Sequence, residues 1–200
     1  MNTVVKFIYF DVGGVLLDFR EGHSRVSKQY GIPLEKIQEV FEKNWREACR
    51  GKLSNIEYMA LFVNVLQLKE PFPDVSDFWT DYHVAIPQTH EFIREIAPKY
   101  AMGLLTNAEY GAMKYAKQKR LIPDVPWHAI IDSSALGVIK PEPEIYEVAE
   151  KAAGVAPEEI FFIDDVEEHI TVAKSRGWQG MVFDTNDVEG SIQKLATLLL

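Results

Sequence analysis

Asp11 closes the apolar run "FIYF" and stands just before Gly13 and Gly14; Thr106 and Asn107 close "AMGLL"; Asp164 and Asp165 close "IFFI". A carboxylate at the end of an apolar run costs several kcal/mol if it is buried without a partner, so such a residue is either a surface turn residue or part of a built site. If the runs are parallel strands, all these groups fall on the carboxyl edge of one sheet, where ligands of open α/β folds bind. Ser133 and Ser134 close a further run, "HAIID", and Lys140 follows in a loop stiffened by Pro141 and Pro143. Three carboxylates and one ammonium leave an excess of two negative charges, which one divalent cation neutralises, and oxygen-only ligation points to Mg²⁺. An Asp beside that ion with an oxygen free to attack is a nucleophile, and an aspartyl-phosphate intermediate suits the grouping, with Asp11 in that role. Thr106 and Lys140 are then placed to hold phosphoryl oxygens. Gly13 and Gly14 allow a sharp turn in which backbone amides and carbonyls approach a ligand closely.

The elements that must position these residues are legible. Short apolar runs at 4–10, 101–106, 128–132, 159–164 and 180–184 read as buried parallel strands. Helix-period segments separate the later ones: "EYGAMKYAKQKR", "PEPEIYEVAEKAAG", "VEEHITVAKSRG" and "DVEGSIQKLATLLL". Alternation of this kind predicts an α/β fold with a doubly wound, mostly parallel, Rossmann-like sheet. About ninety residues lie between the first two strands, far more than a single crossover needs. They are helical in pattern and rich in aromatics. "PLEKIQEVFEKNWREACRG" stops at Gly51, and Ser54 with Glu57 has capping-box spacing. The expected organisation is a core of residues 1–17 and 86–200, with a helical insertion at 18–85 over the end of the first strand, and a returning core helix at 89–100. The insertion's Phe41, Trp45, Tyr58, Phe62, Phe78, Trp79 and Tyr82 are expected mainly to pack at helical spacing, with one or two lining a cleft.

Composition bounds the partners. The 200 residues are 47% hydrophobic and 26% charged, ordinary for one globular unit, and the net charge of -9 repels nucleic acid and anionic membranes. An anionic small molecule then needs a local cation to be held. No apolar run approaches the roughly 20 residues of a membrane span, and the start of the chain lacks the pattern of a signal peptide. The single cysteine, Cys49, can form no internal disulfide and reads as a bystander. The expectation is a cytoplasmic protein, monomer or homodimer; with the phosphoryl chemistry above and the resemblance described next, its expected partner is a small phosphorylated metabolite.

Taken in order, "FDVGGVLLD", "LLTNA", "ALGVIKPEPEIY" and "FFIDDVEEH" resemble the four motifs of the haloacid dehalogenase superfamily, in the subclass with a helical cap after the first strand. The resemblance spans nearly the whole chain. It implies a phosphatase in which Asp11 is nucleophile and Mg²⁺ ligand, the Gly13 carbonyl is a second ligand, Asp165 binds the metal directly, and Asp164 supports it through water. It implies that Thr106, the Asn107 backbone and Lys140 bind phosphate, with Lys140 also positioning Asp11, and that cap residues choose the leaving group.

Two departures from the family pattern stand out. Most phosphatases of the family carry a second Asp two residues after the nucleophile as general acid and base, a role worth about 10²- to 10⁴-fold, and here that position is Gly13. Asp18, His23 or a cap residue are candidate substitutes. His169 occupies a position where related sequences often have Asn or Asp. Two rival readings stand beside the phosphatase: a non-catalytic phosphate-binding or regulatory protein, and a haloacid dehalogenase, in which the Asp attacks carbon without metal.

Overall fold

The computed structural model describes residues 4–67 and 83–200. Five parallel strands form the main sheet in the order β5-β4-β1-β6-β7, where β1 is Phe7–Phe10, β4 is Ala101–Thr106, β5 is Ala129–Asp132, β6 is Ile160–Asp164 and β7 is Gln179–Val182. The first strand sits at the centre, so Asp11, Thr106 and Asp164 all emerge on the same edge. All four β1 residues are buried because both faces are covered. Ile8 and Phe10 pack with Phe92, Ile96 and Leu195 on one face, while Phe7 and Tyr9 pack with Ile145, Tyr146 and Trp178 on the other. That double burial is why the strands read as continuous apolar runs rather than alternating ones.

Boundaries differ from expectation in small ways. The first strand starts at Phe7 rather than Val4, and the last is Gln179–Val182 rather than 180–184. The returning helix α4 is Pro87–Ile96, beginning two residues early because proline suits the first helical position, where no N–H is needed.

Between β1 and α4 the chain leaves the sheet and comes back through a short antiparallel ladder, β2 (Leu17–Asp18) with β3 (Val84–Ala85). In between run α1 (Gly22–Tyr30), α2 (Leu34–Cys49) and α3 (Asn55–Leu66). These helices have an apolar cluster of their own, built on Val26, Ile37, Val40, Tyr58 and Phe62. Gly51 takes φ 66° just past α2, as a helix stop requires, and the Ser54–Glu57 capping box opens α3. Tyr58 and Phe62 pack edge to face at 5.3 Å. Phe78, Trp79 and Tyr82 lie outside the described residues.

The insertion is tied to the sheet's carboxyl edge at the end of α2. Arg50 forms a two-pronged ion pair with Glu142, in the loop after Lys140. The Ser133 hydroxyl, just beyond β5, donates to the Cys49 carbonyl at 2.7 Å and accepts from the Ala108 N–H at 3.1 Å. A Cβ on Gly51 would lie 2.2 Å from the Ser134 carbonyl oxygen, so only glycine permits this approach.

Candidate active site

Lys140 is the hub of the site. Its ammonium, wholly buried, lies 2.6 Å from Asp164 Oδ2 and 2.9 Å from Asp11 Oδ1. The loop that carries it is held by a reciprocal pair of bonds: the Lys140 N–H donates to Asn107 Oδ1 at 2.8 Å, and Asn107 Nδ2 donates to the Lys140 carbonyl at 3.0 Å. The Asn107 side chain thus holds the loop that carries the lysine. Asp164 is fastened further by the Val166 N–H at 2.8 Å and by His169 Nδ1, 3.0 Å from each carboxylate oxygen.

Electrostatics separate the two buried acids. Burial pushes the Asp11 carboxyl up to about 7, aided by the nearby negative charges of Asp164 and Asp165 and opposed by Lys140. Burial also pushes Asp164 up, but Lys140 and His169 outweigh it and hold this carboxyl below its ordinary value. Lys140 itself is held above its usual range, because the two carboxylates overcome its burial. The firm ion pair is therefore Lys140 with Asp164, and Asp11 is the acid left short of positive charge. Its Oδ1 accepts from the Val12 N–H at 2.7 Å as well as from Lys140. Among the described residues no donor reaches Oδ2.

Asp165 completes the cluster. One oxygen from each of Asp11, Asp164 and Asp165 falls within 4.8 Å of the others, a donor set of hard oxygens with net negative charge that fits a divalent cation such as Mg²⁺. Gly14, at φ 76°, lets the first loop pass beneath Asp165: a Cβ there would lie 2.2 Å from Asp165 Oδ2. Gly14→Ala is therefore expected to displace the Asp165 carboxylate, add about 1–2 kcal/mol of left-handed backbone strain, and weaken Mg²⁺ binding at least about tenfold, as read by titration calorimetry.

Beside the cluster opens a pocket of about 110 Å³, in which Val12, Gly13, Thr106 and Asn107 meet Phe19, Phe41 and Trp45 from the inserted segment. Thr106 is buried in its lining. Phe41 and Trp45 stack at 4.7 Å, so these are the insertion aromatics that line a cleft. The Phe19 ring lies 3.0 Å from where a Gly13 Cβ would be, occupying the space an acid at that position would need.

Asp18 is not aimed at this space. It is bound by Arg20 through Nη2 at 2.6 Å and Nε at 3.0 Å. Sequence reasoning passed over Glu109, which is 7% exposed and lines the pocket two residues after Asn107. Its place just past a strand end was the available signal. Ser133 turns out to be a strut between insertion and sheet, and Cys49 is buried with its thiol pushed up by desolvation.

Comparison with known proteins agrees with this geometry. Residues 5–177 match the family described as haloacid dehalogenase-like hydrolase, and the chain belongs to that family of hydrolases. It is 24% identical to the D-ribitol-5-phosphate phosphatase of Bacteroides thetaiotaomicron, over 88% of this chain and 90% of that one. It is also 24% identical to the (S)-2-haloacid dehalogenase of Xanthobacter autotrophicus, over 88% and 73% respectively. Among solved structures, a haloacid dehalogenase family enzyme of Bacteroides thetaiotaomicron in complex with magnesium and inorganic phosphate superposes with a TM-score of 0.78 at 23% identity, covering 90% of this chain and 95% of that one.

Proposed function

We propose that the protein is a Mg²⁺-dependent phosphatase that hydrolyses a small phosphate monoester through an aspartyl phosphate on Asp11. The observation that carries this reading is the convergence of Asp11, Asp164 and Asp165 to within 4.8 Å around the buried Lys140. In this reading Asp11, the Gly13 carbonyl, Asp165 and, through water, Asp164 hold the metal. When bound, Mg²⁺ would offset the clustered negative charge and that of the phosphoryl oxygens. Lys140 and the Val12 N–H fix Asp11 Oδ1, which orients the carboxylate for attack on phosphorus. Thr106, the Asn107 backbone amide and Lys140 bind the phosphoryl oxygens. Residues 18–85 act as a cap over a core of residues 1–17 and 86–200, and the pocket they share receives the leaving group. The named activities of two relatives, D-ribitol-5-phosphate phosphatase and the Beta-phosphoglucomutase of Bacillus subtilis, support a phosphorylated metabolite of sugar size as substrate. The reading takes the protein as cytoplasmic and as a monomer or homodimer.

The test is release of phosphate from p-nitrophenyl phosphate with and without Mg²⁺, followed by a screen of phosphorylated metabolites. Metal-dependent release is expected; tight phosphate binding without release would instead favour the non-catalytic reading. Carbon attack on a haloacid is the second reading, favoured by the Xanthobacter relative, and it would proceed on 2-chloropropionate without Mg²⁺.

Metal binding should depend on pH with a definite sign. Because the Asp11 carboxyl sits near 7 without a cation, it is protonated below that pH, and the proton must leave before Mg²⁺ is ligated. Mg²⁺ affinity should fall about tenfold for each pH unit below 7 and level off above it. Calorimetric titrations between pH 5.5 and 8.5 check this, and a flat profile contradicts it.

A further inference from the structure

The phosphatase reading leaves the leaving-group oxygen without a proton donor, since Gly13 has no side chain and the Phe19 ring fills the space beside it. Asp18, a candidate from sequence, is held by Arg20, whose hydrogen bonds keep its carboxyl below the ordinary value, so it has no proton to give near neutrality. His23 lines the pocket, but it packs edge-on against Phe41 at 4.6 Å, and burial holds it in its neutral form. A neutral imidazole is a poor acid.

We propose that Glu109 is the catalytic acid and base of this site, donating its proton to the leaving oxygen and retrieving one from the attacking water. The proposal rests on the phosphatase reading and deepens it. Glu109 lies two residues after Asn107, so the loop that would cradle the phosphoryl group also delivers this carboxyl to the pocket that would receive the leaving group. It is more than nine-tenths buried, yet among the described residues it forms no ion pair and no hydrogen bond with another side chain. Burial raises its pKa, a hydrogen bond from its own backbone N–H opposes the rise and the nearby Asp132 adds to it, so the pocket favours the proton-bearing form more than water does. Among the described residues the Tyr58 hydroxyl is buried without a hydrogen-bond partner, and it lies within the electrostatic reach of Glu109. The partnerless Tyr58 hydroxyl is costly unless a bound molecule satisfies it, whereas the Glu109 carboxyl is met by its own backbone N–H and leaves its remaining capacity toward the pocket. Phe19, Phe41, Trp45 and Met113 line the same pocket and exclude water that could otherwise supply the proton.

The proton balance closes over one turnover. The bond between phosphorus and the leaving oxygen breaks as Asp11 bonds to phosphorus, and the leaving oxygen takes the Glu109 proton and departs as the alcohol. Water then attacks phosphorus, gives a proton to the Glu109 carboxylate, and releases inorganic phosphate with Asp11 restored.

The experiment compares n-butyl phosphate, whose alkoxide needs a proton, with p-nitrophenyl phosphate, whose leaving group hardly does. Both are measured with Mg²⁺ for the wild type, Glu109→Gln and Glu109→Asp, with folding checked by circular dichroism. Glu109→Gln is expected to slow turnover of n-butyl phosphate about 10²- to 10⁴-fold while leaving the pre-steady-state burst of p-nitrophenolate within about threefold. Glu109→Asp should recover at least about tenfold of the loss. Equal losses on both substrates would mark Glu109 as merely structural and overturn the proposal, as would an unchanged rate on n-butyl phosphate. A wild type active only on p-nitrophenyl phosphate also overturns it while leaving the phosphatase reading intact. No metal-dependent release from either substrate sinks both.

Discussion

Replacing Asp11 by asparagine is expected to lower Mg²⁺-dependent turnover of p-nitrophenyl phosphate by at least about 10⁴-fold while leaving the fold intact. The amide cannot form the phosphoenzyme, and losses of this size follow removal of a nucleophile that acts as one unit with its partners. The shape is preserved: the asparagine oxygen still accepts from the Val12 N–H and from Lys140. Stability should hold or rise, because Asp11 is buried against the negative Asp164 and Asp165, and removing its charge removes that repulsion. The two readouts together separate chemistry from structure, since an inactive variant with an unchanged or higher urea midpoint has lost the nucleophile alone. A variant with wild-type turnover would remove Asp11 from the mechanism.

Lys140→Met should act in the opposite way, through stability first. The ammonium is wholly buried and touches both Asp11 and Asp164, so its loss leaves two buried carboxylates facing each other with no cation between them. Breaking a buried charge pair by removing one partner costs about 3–5 kcal/mol, and that loss should appear as a lower urea midpoint in EDTA. Methionine matches the length of the lysine stem, so the loss reports charge rather than a cavity. Added Mg²⁺ should stabilise the variant more than the wild type, since the ion supplies the positive charge the lysine no longer does. An unchanged midpoint in EDTA would show that the acids are uncharged in the native protein.

Much of this arrangement is legible in the amino-acid sequence. The strands announced themselves as apolar runs because both sheet faces are covered, and the central β1 is buried at every residue. The strand-end acids stood out because charge is rare beside such runs. The Gly51 stop and the Ser54–Glu57 cap were readable for the same reason: each is a local pattern within a few residues.

Other features had no local trace. Asn107 could be read as a backbone ligand, but not as the clamp on the lysine loop 33 residues away. His169 looked like a departure from a family pattern, and the fold makes it a support for Asp164. Asp18 looked like a spare acid until Arg20 closed on it, whereas Glu109 gave little sign of its burial.

By itself, then, the amino-acid order determined the strands and helices, the sheet class and the residues at the strand ends, since periodicity and capping are set by neighbours along the chain. Only the tertiary structure decided which charges meet. Lys140 sits 24 residues from Asp164, and Arg50 sits 92 from Glu142. Whether a buried carboxyl keeps its charge depends on such long-range partners and on exclusion of water, and neither is written in any short stretch of sequence.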